Sequence, residues 1–143
     1  MGIQSAPVVA RLVGRSGGAA SLPRPWPATS SGGSSTAAAN AWGSWSLLFT
    51  SDLPVTAYLT DVWFTCSLAN TPFALGFGVG AAGAEVTIGE VGGVTGPANG
   101  PNNFKLSAPA LVPASGRVSV RTACINGAYA ASAIICNLTY QTE

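Results

Sequence analysis

Phe73-Ala74-Leu75-Gly76-Phe77-Gly78-Val79-Gly80-Ala81-Ala82-Gly83-Ala84-Glu85-Val86-Thr87-Ile88 decides the fold class. Large apolar residues stand at 73, 75, 77 and 79, and again at 86 and 88, with small or polar residues between them. That is the two-residue period of a strand with one face buried. Gly80 to Gly83 supply the reversal between the two runs, so the stretch predicts an antiparallel hairpin. The face opposite the phenylalanines is Ala74, Gly76, Gly78 and Gly80, bare enough for another backbone or a ring to approach closely. Gly78, Gly80 and Gly83 also spell G-x-G-x-x-G. A dinucleotide site needs a helix after those glycines, inside a βαβ unit. The sequel here is a strand, so the glycines are read as turn and close packing.

The same period extends outward in both directions. Val55 to Cys66 places Val55, Ala57 and Leu59 on one face and Thr56, Tyr58 and Thr60 on the other. Asp61 interrupts the alternation, which restarts through Val62, Trp63 and Phe64 as a bulge would make it do. Trp42 to Thr50 is aromatic and β-prone, and Asp52-Leu53-Pro54 and Asn70-Thr71-Pro72 are turns. Downstream, 84–91 is a strand, 92–103 a Gly/Pro/Asn loop, and Phe104-Lys105-Leu106 a short apolar piece. Gly116 to Cys124 turns Val118, Val120, Thr122 and Cys124 inward, with Ser119 and Arg121 outward. Asn126-Gly127 is a hairpin-type turn, and 132–140 sets Ile134, Cys136, Leu138 and Tyr140 on one face. No stretch holds a helical period. Seven or eight strands at roughly ten-residue spacing, with Gly/Pro turns, predict an all-β fold: an antiparallel β-sandwich or jelly roll.

Ahead of the sandwich the composition changes. After a β-like run at 6–13, residues 14–41 are mostly Gly, Ser, Ala, Pro and Thr. Pro23, Pro25 and Pro27 alternate around Arg24 and Trp26, which favours an extended path. The division expected is 1–41, an N-terminal strand with an extended Gly/Pro-rich arm, and 42–143, the sandwich. A structureless loop of about 28 residues is unusual inside a compact domain. The arm is therefore expected to lie on a partner, with Arg24, Pro25, Trp26 and Pro27 as partner contacts. A plain linker is the competing reading.

Charge narrows the function. The chain has 143 residues, six cations, five anions and no histidine; 8% of its residues are charged, against about 25% in ordinary domains. That provides no basic field for nucleic acid. Acid–base catalysis has little to work with, since five scattered carboxylates form no recognisable pair and no base is present for a Ser or Cys nucleophile. Glu85 and Glu90, five apart, would face opposite sides of one regular strand. Cys66, Cys124 and Cys136 have no metal-ligand spacing and are expected as buried thiols, with a Cys124–Cys136 bridge as the alternative. No apolar run long enough to cross a membrane as a helix is present, and no enzyme activity, cofactor, metal or membrane contact is expected. Trp26, Trp42, Trp45 and Trp63 are read as core and interface packing, with a sugar-binding face as the alternative. So much small, uncharged surface is expected to be covered by other protein.

Trp42 to Tyr140 resembles the small β-sandwich virion proteins of tailed bacteriophages, which decorate or cement capsids or form fibre-like appendages. The residues that carry the resemblance are the 73–85 hairpin, Ile88-Gly89-Glu90 and Gly116-Arg117-Val118-Ser119-Val120-Arg121. It covers about the last hundred residues. The resemblance implies a jelly roll that binds without catalysis and assembles in the host cytoplasm. The expected role is a decoration or cement protein on the capsid surface of the virion. Its partners would be the major capsid protein, or another virion protein, and further copies of itself as a homodimer or homotrimer. A tail-fibre or receptor-binding, carbohydrate-binding module is the alternative.

Overall fold

A computed structural model describes residues 20–26, 32–51 and 54–142. These residues form ten strands: β1 (Ala20–Trp26), β2 (Gly33–Ala39), β3 (Ala41–Trp42), β4 (Ser46–Thr50), β5 (Ala57–Cys66), β6 (Pro72–Val79), β7 (Val86–Val94), β8 (Pro101–Val112), β9 (Arg117–Cys124) and β10 (Ala130–Thr142). No helix occurs among the described residues.

The strands build two facing sheets. In sheet A, β8 pairs with β5 and β5 with β10. The other edge of β10 carries β1 and the start of β2, one after the other. In sheet B, β7 pairs with β6 and β6 with β9, and the other edge of β9 carries β4, β3 and the end of β2. Every pairing is antiparallel except β2 with β9, which runs parallel from Ala37↔Thr122 to Ala39↔Cys124. From β4 onward the chain goes to B, A, B, B, A, B and A, the winding of a jelly roll. The predicted all-β sandwich is the fold.

Between the sheets lie Leu59, Val62, Leu75, Phe77, Val118, Val120, Ile134 and Leu138, all with no solvent exposure. Phe73 sits edge-on to Phe64 and Phe104, with ring centroids 5.1 and 5.0 Å away. Where β7 meets β8, a Cβ on Gly93 would lie 2.7 Å from the Phe104 ring, so only glycine lets that ring in.

The bulge expected at Asp61 is present: the β5–β8 register slips between Leu59 and Asp61. Thr60 and Asp61 both end on the outer side, half-buried. Opposite them, Lys105 pairs with Asp61 and Ala110 with Leu59, so 106–109 of β8 face Thr60 alone. This irregularity breaks the alternation at Ser107-Ala108-Pro109, and it is why a twelve-residue strand reads as a short piece around Phe104. The Asn126-Gly127 turn differs from the hairpin its sequence suggests. It leads from β9 in sheet B to β10 in sheet A, so it joins no hairpin. Cys124 and Cys136 are consequently not cross-strand neighbours; with Cys66, both are free buried thiols. Burial pushes the Cys136 thiol well above its ordinary pKa, with the Asp61 charge adding to the effect.

Of the stretch 14–41, Ala20–Trp26 and 32–41 are described, both extended and hydrogen-bonded within this chain. The run at 6–13, residues 14–19 and 27–31, and Asp52 and Leu53 of the first turn lie outside the described residues.

Leu59 is fully buried and Leu111, on the adjacent strand, is 49% exposed. Leu59→Ala is expected to lower unfolding stability by about 2–5 kcal/mol. Leu111→Ala should cost less than about 1 kcal/mol. Urea unfolding followed by tryptophan fluorescence checks the pair.

Candidate functional site

Trp42 closes β3 and Trp45 precedes β4, and the residues between them, Gly43 to Trp45, are in no strand. In a continuous strand, residues three apart face opposite ways. The irregular link instead puts both indoles on the outer face of sheet B. Gly43 makes this path available: its backbone crosses the Thr36 carbonyl oxygen so closely that a Cβ has no room. Its N–H donates to the Thr122 carbonyl at 2.8 Å.

Arg121 rises from β9 between the two rings. Its guanidinium carbon lies 4.5 Å from the Trp42 ring centroid and 4.4 Å from that of Trp45, a cation held between two indole faces. The rings lie over the bare stripe of β6. A Cβ on Gly76 would be 3.3 Å from Trp42, and one on Gly78 would be 2.8 Å from Trp45. The close approach expected from the glycine pattern is therefore made by two tryptophans. Nη2 of Arg121 donates to Thr87 Oγ1 at 3.3 Å, while its buried Nε has no hydrogen-bond partner. Both rings and the arginine are half-buried, so the stack is an anchored platform that still meets solvent. Beside it, Trp42, Asn40, Pro72, Ala74, Ala123 and Ile125 line an open groove of 470 Å³.

A second polar group lies further along this face. Arg117 Nη1 donates to Glu85 Oε1 at 3.0 Å and to Ser119 Oγ at 2.9 Å. Ser119 Oγ donates to Glu85 Oε1 at 3.2 Å, and the Gly83 N–H to Glu85 Oε2 at 2.8 Å. The Arg117 guanidinium, more than the other bonds, holds the Glu85 carboxyl below its ordinary pKa of 4.5, against an opposing push from burial. Glu90 was expected on the other side. The β6–β7 register slips between Phe77↔Gly89 and Gly78↔Thr87, so the extra residue, Ile88, resets the parity. Glu90, paired with Gly76, thus shares a face with Thr87, paired with Gly78.

Arg24, Pro25 and Trp26 lie on β1, in register with Leu138, Asn137 and Cys136. That strand edges sheet A, so the backbone does not bring them to the Trp42–Trp45 site; Pro27 lies outside the described residues. Trp63 is also on sheet A, 49% exposed on its outer face. The Trp42–Arg121–Trp45 stack was not foreseen. Its signals were the outward position of Arg121 and the glycine stripe that two bulky rings would need. Chemically the site offers aromatic surface and guanidinium donors. Among the described residues no three of His, Cys, Asp or Glu gather as metal ligands would.

Gly78→Ala is expected to displace the Trp45 ring, lowering stability by about 1–3 kcal/mol and changing the near-ultraviolet dichroism of the indoles. Glu85 stays ionised to lower pH in the folded chain than in the unfolded one. Near its ordinary pKa of 4.5 the unfolded state therefore binds more protons, and the contribution of Glu85 is full above that pH and lost as pH falls through the folded value. Denaturant unfolding from about pH 6 to 3 should show a shallower acid loss in Glu85→Gln than in the parent.

No protein-family model matches this chain, and no curated protein does. Among solved structures it is similar to a protein of Bacillus endospore appendages, described as a family of disulfide-linked pili. There the identity is 10% and the TM-score 0.39, over 87% of this chain and 88% of the other. It is also similar to chains of infectious bursal disease virus. For the Gx strain the identity is 15% and the TM-score 0.44, over 82% of this chain. For the Gt strain the values are 12% and 0.37, again over 82%. The chain spans a third of the length of those two viral chains, 33% in each case. At these identities and TM-scores none of the three assigns this chain a function.

Proposed function

We propose that this protein is a non-catalytic structural component of a virion, a decoration or cement protein that docks on the coat-protein shell through the outer face of sheet B. The observation that carries the reading is the Trp42–Arg121–Trp45 stack. Tryptophan and arginine are the residue types that dominate binding energy at protein interfaces. Here the three are already fixed by Gly76, Gly78 and Thr87, so little side-chain freedom is lost on docking. The scarcity of charge elsewhere fits a surface that works by contact rather than by long-range attraction. On this reading the capsid surface is its location, after assembly in the host cytoplasm. Arg24, Pro25 and Trp26, on the edge strand β1 of sheet A, are together with Pro27 a second proposed contact.

One observation favours a second reading. The groove beside Trp42 combines an indole, small apolar residues and Asn40, a set that a sugar ring could use for stacking and a hydrogen bond. That would suit a receptor-binding module at a tail.

Immunogold electron microscopy of particles purified from the producing culture separates the two. Label over the shell is the expected result, label at tail tips supports the second reading, and unlabelled particles reject both. Arg121→Ala should keep the parent's circular dichroism and lose at least about thirtyfold in affinity for those shells, the scale of an interface hot spot.

A further inference from the structure

The outer face of sheet A is built differently from that of sheet B. Register sets three rows across β10, β5 and β8: Thr139–Tyr58–Leu111, Asn137–Asp61–Lys105 and Ile135–Trp63–Asn103. The outer two rows hold large exposed side chains, with Tyr58 at 47% and Trp63 and Leu111 at 49% exposure. Monomeric proteins seldom leave such side chains together on one flat sheet. The middle row holds an acid and a base side by side, and they do not pair with each other. Thr60 Oγ1 donates to Asp61 Oδ1 at 3.2 Å and Asn103 Nδ2 to Oδ2 at 3.4 Å. The only ion pair among the described residues is Arg117 with Glu85. Asp61 reaches this face because of the bulge that turns two consecutive residues outward.

We propose that this face is a two-fold self-association surface whose occupant is a second copy of the same chain. A two-fold axis lying in the interface, along the line between β5 and β8, exchanges the two strands across the contact. It sets Asp61 of each copy against Lys105 of the other, Tyr58 against Leu111 and Trp63 against Asn103. Each row is then its own complement, as an isologous contact requires. Sheets stack about 10 Å apart face to face, close enough for these side chains to interdigitate. Across that axis only β5 and β8 of each copy overlap, and two strands about 4.8 Å apart and about eight residues long present roughly 260 Å² in projection. That suits a weak, concentration-dependent dimer. A foreign partner would have to supply the same alternation of apolar, charged and apolar rows; a second copy already has it. The inference is independent of what sheet B meets, because it concerns the purified chain alone.

Charge reversal tests it. The full-length protein should sediment as a dimer at tens of micromolar and dissociate on dilution. Asp61→Lys and Lys105→Asp should each be monomeric there, with dissociation constants raised at least about tenfold, because each sets like charges face to face twice. An equimolar mixture of the two should recover a heterodimer, and the double variant a homodimer, since both restore opposite charges. Leu111→Asp, exposed and within the regular pairing outside the bulge, should also give a monomer. It serves as the independent variant if Asp61→Lys does not fold. A parent that is monomeric or trimeric, a mixture that stays monomeric, or a Leu111→Asp variant that stays dimeric would each overturn the proposal.

Discussion

β2 is hydrogen-bonded to β10 where it begins and to β9 where it ends, and through it the ladders of the two sheets run into one another. A strand that crosses between sheets has neighbours on several sides, so it cannot carry bulk. Gly33-Ser34-Ser35-Thr36-Ala37-Ala38-Ala39 meets that limit. A Cβ on Gly33 would collide with Leu48, and Ser35 and Ala37 are buried. The tight return from β2 into β3, through Asn40 with its positive φ of 55°, sets Trp42 beside β9. The aromatic platform on sheet B thus depends on a stretch of chain with almost no hydrophobic content of its own.

Parity governs the surface chemistry. In a perfect sandwich every second residue of a strand faces out, and one inserted residue reverses the assignment of all that follow. The outer faces of both sheets owe their character to such insertions. The slip at Ile88 brings Thr87 and Glu90 to one side of β7, and the slip at Thr60 presents Asp61 opposite Lys105. With only 8% of the residues charged, moving a single carboxylate from one face to the other alters what that face can bind.

This also explains what was legible in the sequence. β5 and the β6–β7 hairpin were readable because long apolar side chains mark their period, and the Asp61 bulge announced itself by breaking a strong alternation. β2 was hidden because its buried positions are serine and alanine, which burial does not distinguish from a loop composition. β8 was hidden by Pro109 at its own irregularity. Asn126-Gly127 misled because a hairpin signal describes the local turn and is silent about which sheet the next strand joins. The indole–guanidinium stack depends on pairing between β3, β6 and β9, and no local pattern encodes that.

β10 occupies the middle of sheet A, with β5 on one side and β1 and β2 on the other. The strand that every other part of that sheet leans on, except β8, is therefore the last of the ten to leave the ribosome. Until it emerges, β1 has no partner in the sheet and β5 has an open edge. The hairpin of β6 and β7 is local enough to form earlier, while sheet A has to wait for contacts that span most of the chain. An unfinished polypeptide this poor in charge would be prone to stick to its neighbours. Translation speed and chaperone supply while β8 to β10 emerge are thus as much a part of this fold's requirements as the packing of its finished core.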